Sequence, residues 1–190
     1  MRRGVFGGSF DPVHIGHLIA AEAAADRLAL DEIRFVPTCI QPFKSGVHCP
    51  PADRAEMLRA ALDDNRRFVL DGREIERGGV SYTVETLESL RDEFPEDELF
   101  LLVGADAAQG LGAWRQAERV AALATIVELT RPGAPASKDP RISQSVHVPA
   151  IDVSATAVRE AVHSGRSIRY LVPAVVAEYI AQHALYRIED

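Results

Sequence analysis

Two histidines, His14 and His17, stand three residues apart in "GVFGGSFDPVHIGHL", residues 4 to 18. An apolar run and then Gly7 and Gly8 come before them, and a helical pattern opens behind them. Glycine allows backbone angles and close approach that other residues forbid. Amides in such a turn, next to a helix N-terminus, form a site for an anion, and phosphate is its natural guest. Side chains at i and i+3 share one helical face, so both imidazoles can project towards that anion. Donors aimed at charge that grows as a bond breaks contribute roughly 10²–10³ in rate apiece.

Rival readings of these residues fit less well. Helical zinc ligands are usually spaced i, i+4, with more Cys, His or carboxylate nearby, whereas here the nearest other candidate is Asp11. No metal site of the protein's own is expected. GxxxxGK[ST] and GxGxxG are both absent. A glycine turn with two idle surface histidines explains each residue but not their order.

A second constellation lies in "VSATAVR", Val153 to Arg159. A helix N-terminus carrying the hydroxyls of Ser154 and Thr156 points donors at an anion, and Arg159 adds a fixed charge one turn on. Taken alone, the same residues describe an ordinary capped helix with a surface arginine.

Positioning these groups is the task of the elements around them. "RGVFG" suits a buried strand, and Leu18, Ala21, Ala25 and Leu28 then keep helical spacing. "EIRFVP" (32–37) reads as a strand, 38–51 as a loop and "ADRAEMLRAALDD" as an amphipathic helix. Strand residues are expected around Val69, followed by a helix from about Thr83 that Pro95 stops. "ELFLLVG" (98–104) is the strongest strand candidate, with further strands at 124–131 and in "SVHVPAID". A helix capped by Ser154 and stopped by Gly165 follows, and the last helix comes after Pro173. One face of it would hold Val172, Val175, Val176, Tyr179, Ile180 and His183. The alternation of strands and helices predicts an α/β fold: a doubly wound, mainly parallel sheet with helices on both faces. Ligands in such sheets bind beyond the strands' carboxyl ends, where strand order reverses. The opening motif, Gly104 and the loop before Ser154 each follow a predicted strand and can meet at one crevice.

With 190 residues, 47% hydrophobic, the chain is expected to form one domain around a sizeable core, with a C-terminal helical part at about 154–185. A net charge of −7 argues against nonspecific binding to nucleic acid or anionic membrane, though a local basic site stays possible. Cys39 and Cys49 form no CxxC and read as structural thiols in a reducing compartment. "MRRGVF" runs into glycines rather than a signal-peptide core, and no window approaches the ~20 apolar residues of a membrane span. A cytoplasmic location is expected. A homo-oligomer is compatible with the sequence, which does not fix the oligomeric state.

"GGSFDPVHIGH" closely resembles the nucleotidyltransferase signature G-[GS]-[ST]-F-D-P-x-H-x-G-H. The resemblance implies a Rossmann-like sheet. It also implies that His14 and His17 bind nucleotide phosphates and stabilise leaving pyrophosphate, with Gly7, Gly8, Ser9 and Phe10 in the ATP site. "VSATAVR" resembles the family's partner motif I-S-S-T-x-x-R: Ser154, Thr156 and Arg159 are kept, while Ala155 removes one hydroxyl. KMSKS is absent, and the chain is short for an aminoacyl-tRNA synthetase.

Over nearly its whole length the chain resembles the nicotinate-nucleotide adenylyltransferase family, most tellingly in "SYTVETL" and "GAD…W". This resemblance implies that backbone amides at Tyr82, Thr83 and near Trp114 receive the nicotinate carboxylate while an aromatic ring stacks on the pyridine. Gly104 and Asp106 would line the nucleotide crevice, Arg131 would hold the mononucleotide phosphate, and Lys44 would meet phosphate. Mg²⁺ would arrive with ATP. Without the resemblance, Trp114 could be core, Tyr82 and Thr83 a helix start, Asp106 an N-cap and Arg131 a turn residue. Where the family usually has Pro-His-Lys or Pro-His-Arg, this chain has "QPFKS", so Phe43 removes an imidazole. Nearby His48 could replace it or have no role. The implied reaction joins ATP and nicotinate mononucleotide (NaMN) into nicotinate adenine dinucleotide and pyrophosphate, with His14, His17, Lys44 and Arg159 as catalytic groups. The alternatives are another acceptor, nicotinamide mononucleotide (NMN) or phosphopantetheine, and a nucleotide-binding sensor without activity.

Overall fold

A computed structural model describes residues 1–42, 49–131 and 135–187. Its strands are β1 (Arg2–Gly8), β2 (Glu32–Pro37), β3 (Phe68–Leu70), β4 (Glu98–Gly104), β5 (Thr125–Thr130) and β6 (Ile142–His147). They form one sheet in the order β3-β2-β1-β4-β5-β6, every neighbour pair parallel. The residues of β4 from Leu99 to Val103 are all buried. A continuous apolar run of this kind marks a parallel strand covered on both faces.

Helices supply that cover. On one face α1 (Ile15–Leu28), α2 (Pro51–Leu62), α7 (Ala155–His163) and α8 (Ala174–Gln182) pack over Phe6, Phe35, Phe100, Leu102 and Val127. On the other, α4 (Thr83–Glu93), α5 (Ala105–Gln109) and α6 (Ala117–Leu123) pack over Val5, Val36, Leu101, Val103 and Ile126. The short α3 (Arg73–Arg77) lies between β3 and α4. The chain builds outward from β1 to β3, then returns to lay β4 on the other edge of β1. Strand order reverses there, and Gly8 and Gly104 end the two strands that flank the crevice.

The expected doubly wound fold is therefore present, with local differences. The strand expected in "SVHVPAID" begins earlier, at Ile142, because residues 142–147 pair with β5. The short α3, α5, α6 and a 3₁₀ turn at Leu111–Ala113 were absent from the sequence expectation. In the last helix Val176 and Ile180 are buried, but Val175 is 46% exposed. Val175 precedes Val176 by about 100° of helical rotation, enough to carry it off the buried face. His183 is also exposed: the helix ends before it, and its ring stacks on Tyr179 at 3.9 Å. Among the described residues no helix is long and apolar enough to cross a membrane.

Phe35 links the core to the crevice. Its ring packs 5.5 Å from Phe6, 5.8 Å from Phe10 and 5.0 Å from Phe68, between centroids. Phe35→Ala is expected to cost about 3–5 kcal/mol, read as a lower urea midpoint at unchanged m-value.

Candidate active site

The loop after β1 is built over a buried ring. Phe10 takes a left-handed backbone, φ 46°, a conformation costing on the order of 1–3 kcal/mol for a residue with a side chain. Its ring is 1% exposed and meets Phe6 edge-on at 5.8 Å, which holds the turn in place. A Cβ on Gly8 would come within 3.2 Å of that ring, so glycine there makes room for the anchor. Gly7 borders open space and lines a cavity. With the Phe10 ring in the core, any part this residue takes in phosphate binding falls to its backbone.

His14 does not project from the helix as the i, i+3 spacing implied. It is the extended N-cap of α1, and His17 is the third helical residue. The rings nevertheless come together, stacked at 3.7 Å with 23° between their planes. The His14 backbone N–H donates to His17 Nδ1 at 3.2 Å. With Nδ1 accepting, a neutral His17 carries its proton on Nε2, which is then a donor. Burial lowers the His14 pKa to about 4, and the positive charge of Arg131 acts in the same direction. Burial, with His14 and Arg131, holds His17 well below the ordinary histidine range. Both rings are thus neutral near pH 7 in the free protein, in keeping with their expected part as donors. The α1 N-terminus contributes less than expected: the Ile15 N–H donates to Leu171 O and the His17 N–H to His14 O, both at 3.0 Å.

Gly16 joins the two halves of the site. A Cβ there would lie 2.9 Å from Val153 Cγ1 and 3.1 Å from the His14 ring. Only a residue without a side chain lets α1 begin against the segment that leads into α7. From α7, Arg159 Nη1 donates to Asp11 O at 2.7 Å and Nη2 to Thr156 Oγ1 at 3.1 Å. Ser154 caps α7, its Oγ accepting from the Ala157 N–H at 3.1 Å. From beyond α8, the Tyr186 hydroxyl donates to Asp11 Oδ1 at 2.7 Å. The guanidinium of Arg159 and the two imidazoles therefore belong to one corner of the sheet.

Sequence reasoning missed Arg54. It is fully buried, and its guanidinium donates to Ser9 O (2.6 Å), Thr38 O (2.7 Å), Cys39 O (3.2 Å) and Cys49 O (3.2 Å). One side chain so ties the motif loop to the end of β2 and the start of α2. A signal was available: Arg54, Met57, Leu58 and Ala61 share a helical face that is otherwise apolar. Lys44, Phe43 and His48 lie outside the described residues, between Cys39 and Cys49.

A cavity of about 150 Å³ opens beside this corner, at the carboxyl ends of β1, β2 and β4. Val5, Val36, Leu101 and Val103 give it an apolar floor, and Tyr82, Thr83 and Trp114 line its wall. Tyr82 is the extended N-cap of α4 and Thr83 its first residue. The first amides of a helix lack intrahelical partners and favour a negative group. Bonds from Cys39 N to Ser81 Oγ and from Ser81 N to Ile40 O, both 2.9 Å, tie this segment to the exit of β2. Trp114 is half-buried in the cavity wall, and the Arg115 guanidinium sits 4.6 Å over the Tyr82 ring. Asp106 is exposed and follows the first residue of α5, whose N-cap is Gly104. Arg131, just after β5, is close enough for its charge to act on both histidines. Among the described residues no three His, Cys, Asp or Glu side chains gather as a metal cage.

Two outcomes follow from this geometry. His14 folds with its pKa depressed to about 4 from an unfolded value near 6.5, so the unfolded chain binds the extra proton between them. Its contribution is complete above about pH 6.5 and is lost as pH falls through about 4, amounting to about 3 kcal/mol. Urea midpoints across that range should fall less steeply in His14→Gln. Gly16→Ala should cost about 1–3 kcal/mol by overpacking, and in a double-mutant cycle Val153→Ala should relieve part of that cost.

The family model described as cytidylyltransferase-like matches residues 5–161. A Thermus thermophilus protein named "probable nicotinate-nucleotide adenylyltransferase" is 44% identical over 98% of this chain and 100% of its own length. A Rubrobacter xylanophilus protein of the same name is 41% identical over 98% of this chain and 92% of its own. Among solved structures, a Plasmodium falciparum nicotinic acid mononucleotide adenylyltransferase complexed with APC superposes with a TM-score of 0.78 at 15% identity, covering 97% of this chain and 96% of that one. The same Plasmodium enzyme complexed with NaAD gives 0.75 at 16% identity, covering 97% of both chains. At that identity the two superpositions speak for the fold, while the full-length relatives fix the kinship. The chain belongs to the cytidylyltransferase-like family, and within it to the nicotinate-nucleotide adenylyltransferases.

Proposed function

We propose that this protein transfers the adenylyl group of ATP to nicotinate mononucleotide, forming nicotinate adenine dinucleotide and pyrophosphate in NAD biosynthesis. One observation carries the reading beyond kinship. A cradle of stacked imidazoles and Arg159 adjoins an apolar cavity where a helix begins, both at the point where strand order reverses. The first compartment suits a triphosphate, and the second suits a flat ring bearing a negative substituent.

In this reading the NaMN phosphate attacks the α-phosphorus of ATP in line. A new P–O bond forms as the bond from the α-phosphorus to the bridging oxygen breaks, and pyrophosphate leaves with that electron pair. The attacking oxygen is already anionic, so no base is needed. Catalysis is then positioning and charge neutralisation. The Nε2–H of His17 and the ring of His14 donate to phosphate oxygens, with Ser154, Thr156 and Arg159 facing the same group. Backbone groups from Gly7 to Phe10 shape the cradle. Gly104 and Asp106 border the nucleoside, and Arg131 and Lys44 meet the acceptor phosphate. Tyr82 and Thr83 present the α4 N-terminus to the nicotinate carboxylate while Trp114 faces the pyridine. Mg²⁺ belongs to the ATP substrate, held chiefly by its phosphates, and neutralises their charge. The two free thiols, Cys39 and Cys49, fit a cytoplasmic setting.

Pyrophosphate release from Mg·ATP with NaMN tests the reaction directly, with no release on NaMN refuting it. His17→Ala should lower kcat by about 10² or more in protein that is still folded by circular dichroism, through loss of a transition-state donor. Full turnover by that variant would remove His17 from the mechanism.

A further inference from the structure

The wall of the acceptor cavity contains a carboxyl group that the reaction does not use. Glu74 lies in α3, is 5% exposed, and lines the cavity with Tyr82 and Thr83. Its Oε1 accepts from the Thr86 hydroxyl, one turn into α4, while Oε2 is buried and has no hydrogen-bond partner. Ser81, just ahead of α4, is the other polar neighbour on that side. The charged groups around Glu74 are engaged elsewhere. Asp71 pairs with Arg34 at 3.0 Å and Arg73 at 2.8 Å, while Arg77 and Arg115 face Glu85 at 3.7 and 2.9 Å. None of these arginines forms an ion pair with Glu74, although Arg77 is near enough for its charge to act on it.

This placement creates a conflict. The start of α4 favours an anion in the cavity, yet an ionised Glu74 beside it would repel one. The conflict disappears when the carboxyl is protonated. Burial pushes the Glu74 pKa up, Thr86, Ser81 and Arg77 oppose that rise, and Asp71 adds to it. We propose that Glu74 determines which pyridine nucleotide the cavity accepts: as a neutral acid it admits the nicotinate carboxylate to the start of α4, and as a carboxylate it excludes that substrate without affecting the uncharged nicotinamide group. The inference rests on the acceptor assigned under Proposed function. It adds a linkage: where free Glu74 is ionised, NaMN binding draws a proton onto it and NMN binding does not.

The test compares kcat/KM for NaMN and for NMN with Mg·ATP, in the wild-type chain and in Glu74→Gln. Both substrates carry the same phosphate, which titrates near pH 6, so the ratio between them cancels its contribution. From just above the ordinary glutamate range, about pH 5, up to about pH 9 the wild-type NaMN-to-NMN ratio should fall about tenfold or more, as expected for a like charge at close range. Glu74→Gln is neutral throughout and keeps an acceptor for Thr86, so its ratio should stay flat. Calorimetry in two buffers of different ionisation enthalpy should show proton uptake at high pH when the wild type binds NaMN, and none with NMN. A flat wild-type ratio, or the same fall in the variant, overturns the proposal. If the variant does not fold, wild-type calorimetry decides: equal proton uptake with both nucleotides overturns it, and an excess with NaMN supports it. Absence of turnover with NaMN and NMN refutes the proposed reaction instead, and binding calorimetry then still judges Glu74 on its own. Binding of neither nucleotide sinks both.

Discussion

A buried guanidinium with four main-chain carbonyls around it holds this site in shape. Arg54 cannot leave its charge unsatisfied in the interior, where an unpartnered ion is far costlier than an exposed one. Its partners at Ser9, Thr38, Cys39 and Cys49 come from three separate pieces of chain. Displacing any one piece strips the cation of a partner. Loops are ordinarily the loosest part of a fold, but here their backbones serve as ligands for a fixed charge. The left-handed turn at Phe10 persists under the same restraint, with the aromatic cluster below it.

The electrostatics of the histidine corner are layered. The imidazoles nearest the cradle are stacked, buried and neutral, while permanent positive charge stands further out on Arg131 and Arg159. Two imidazolium rings at stacking distance would repel strongly in a dry site. Kept neutral, they still offer N–H groups aimed by the backbone. Positive charge at this corner comes from the guanidinium groups rather than from the imidazoles. The cavity beside it follows another logic, with apolar strand residues as a floor and a helix start in its wall.

The fold was legible where local pattern and tertiary demand agree. β4 is buried on both faces and so reads as an unbroken apolar run, and α4 begins at Thr83 as its neighbours imply. Ser154 was recognised as a cap because the hydroxyl-to-amide bond is local. The five-residue α3 and α5 were not legible, since segments so short show no period and exist because neighbours hold them, whereas the three-residue β3 stands where strand residues were expected, around Val69. In the site, residue types were readable but not their arrangement. The spacing of His14 and His17 indicated a shared helical face, whereas the pair actually meets through an N-cap, which depends on where the helix starts. The need for glycine at position 16 arises from Val153, remote in sequence. Glu74 stands among charged neighbours in the sequence, and its burial arises only from the fold.

Asp11 takes Arg159 on its carbonyl and Tyr186 on its carboxylate, so it rests on residues 148 and 175 positions further along the chain. Synthesis on the ribosome is directional, and a nascent chain exposes its glycine loop and histidines long before these supports exist. The corner around Asp11 is therefore complete only once every strand of the sheet has been made, and a shorter nascent chain leaves that turn without either support.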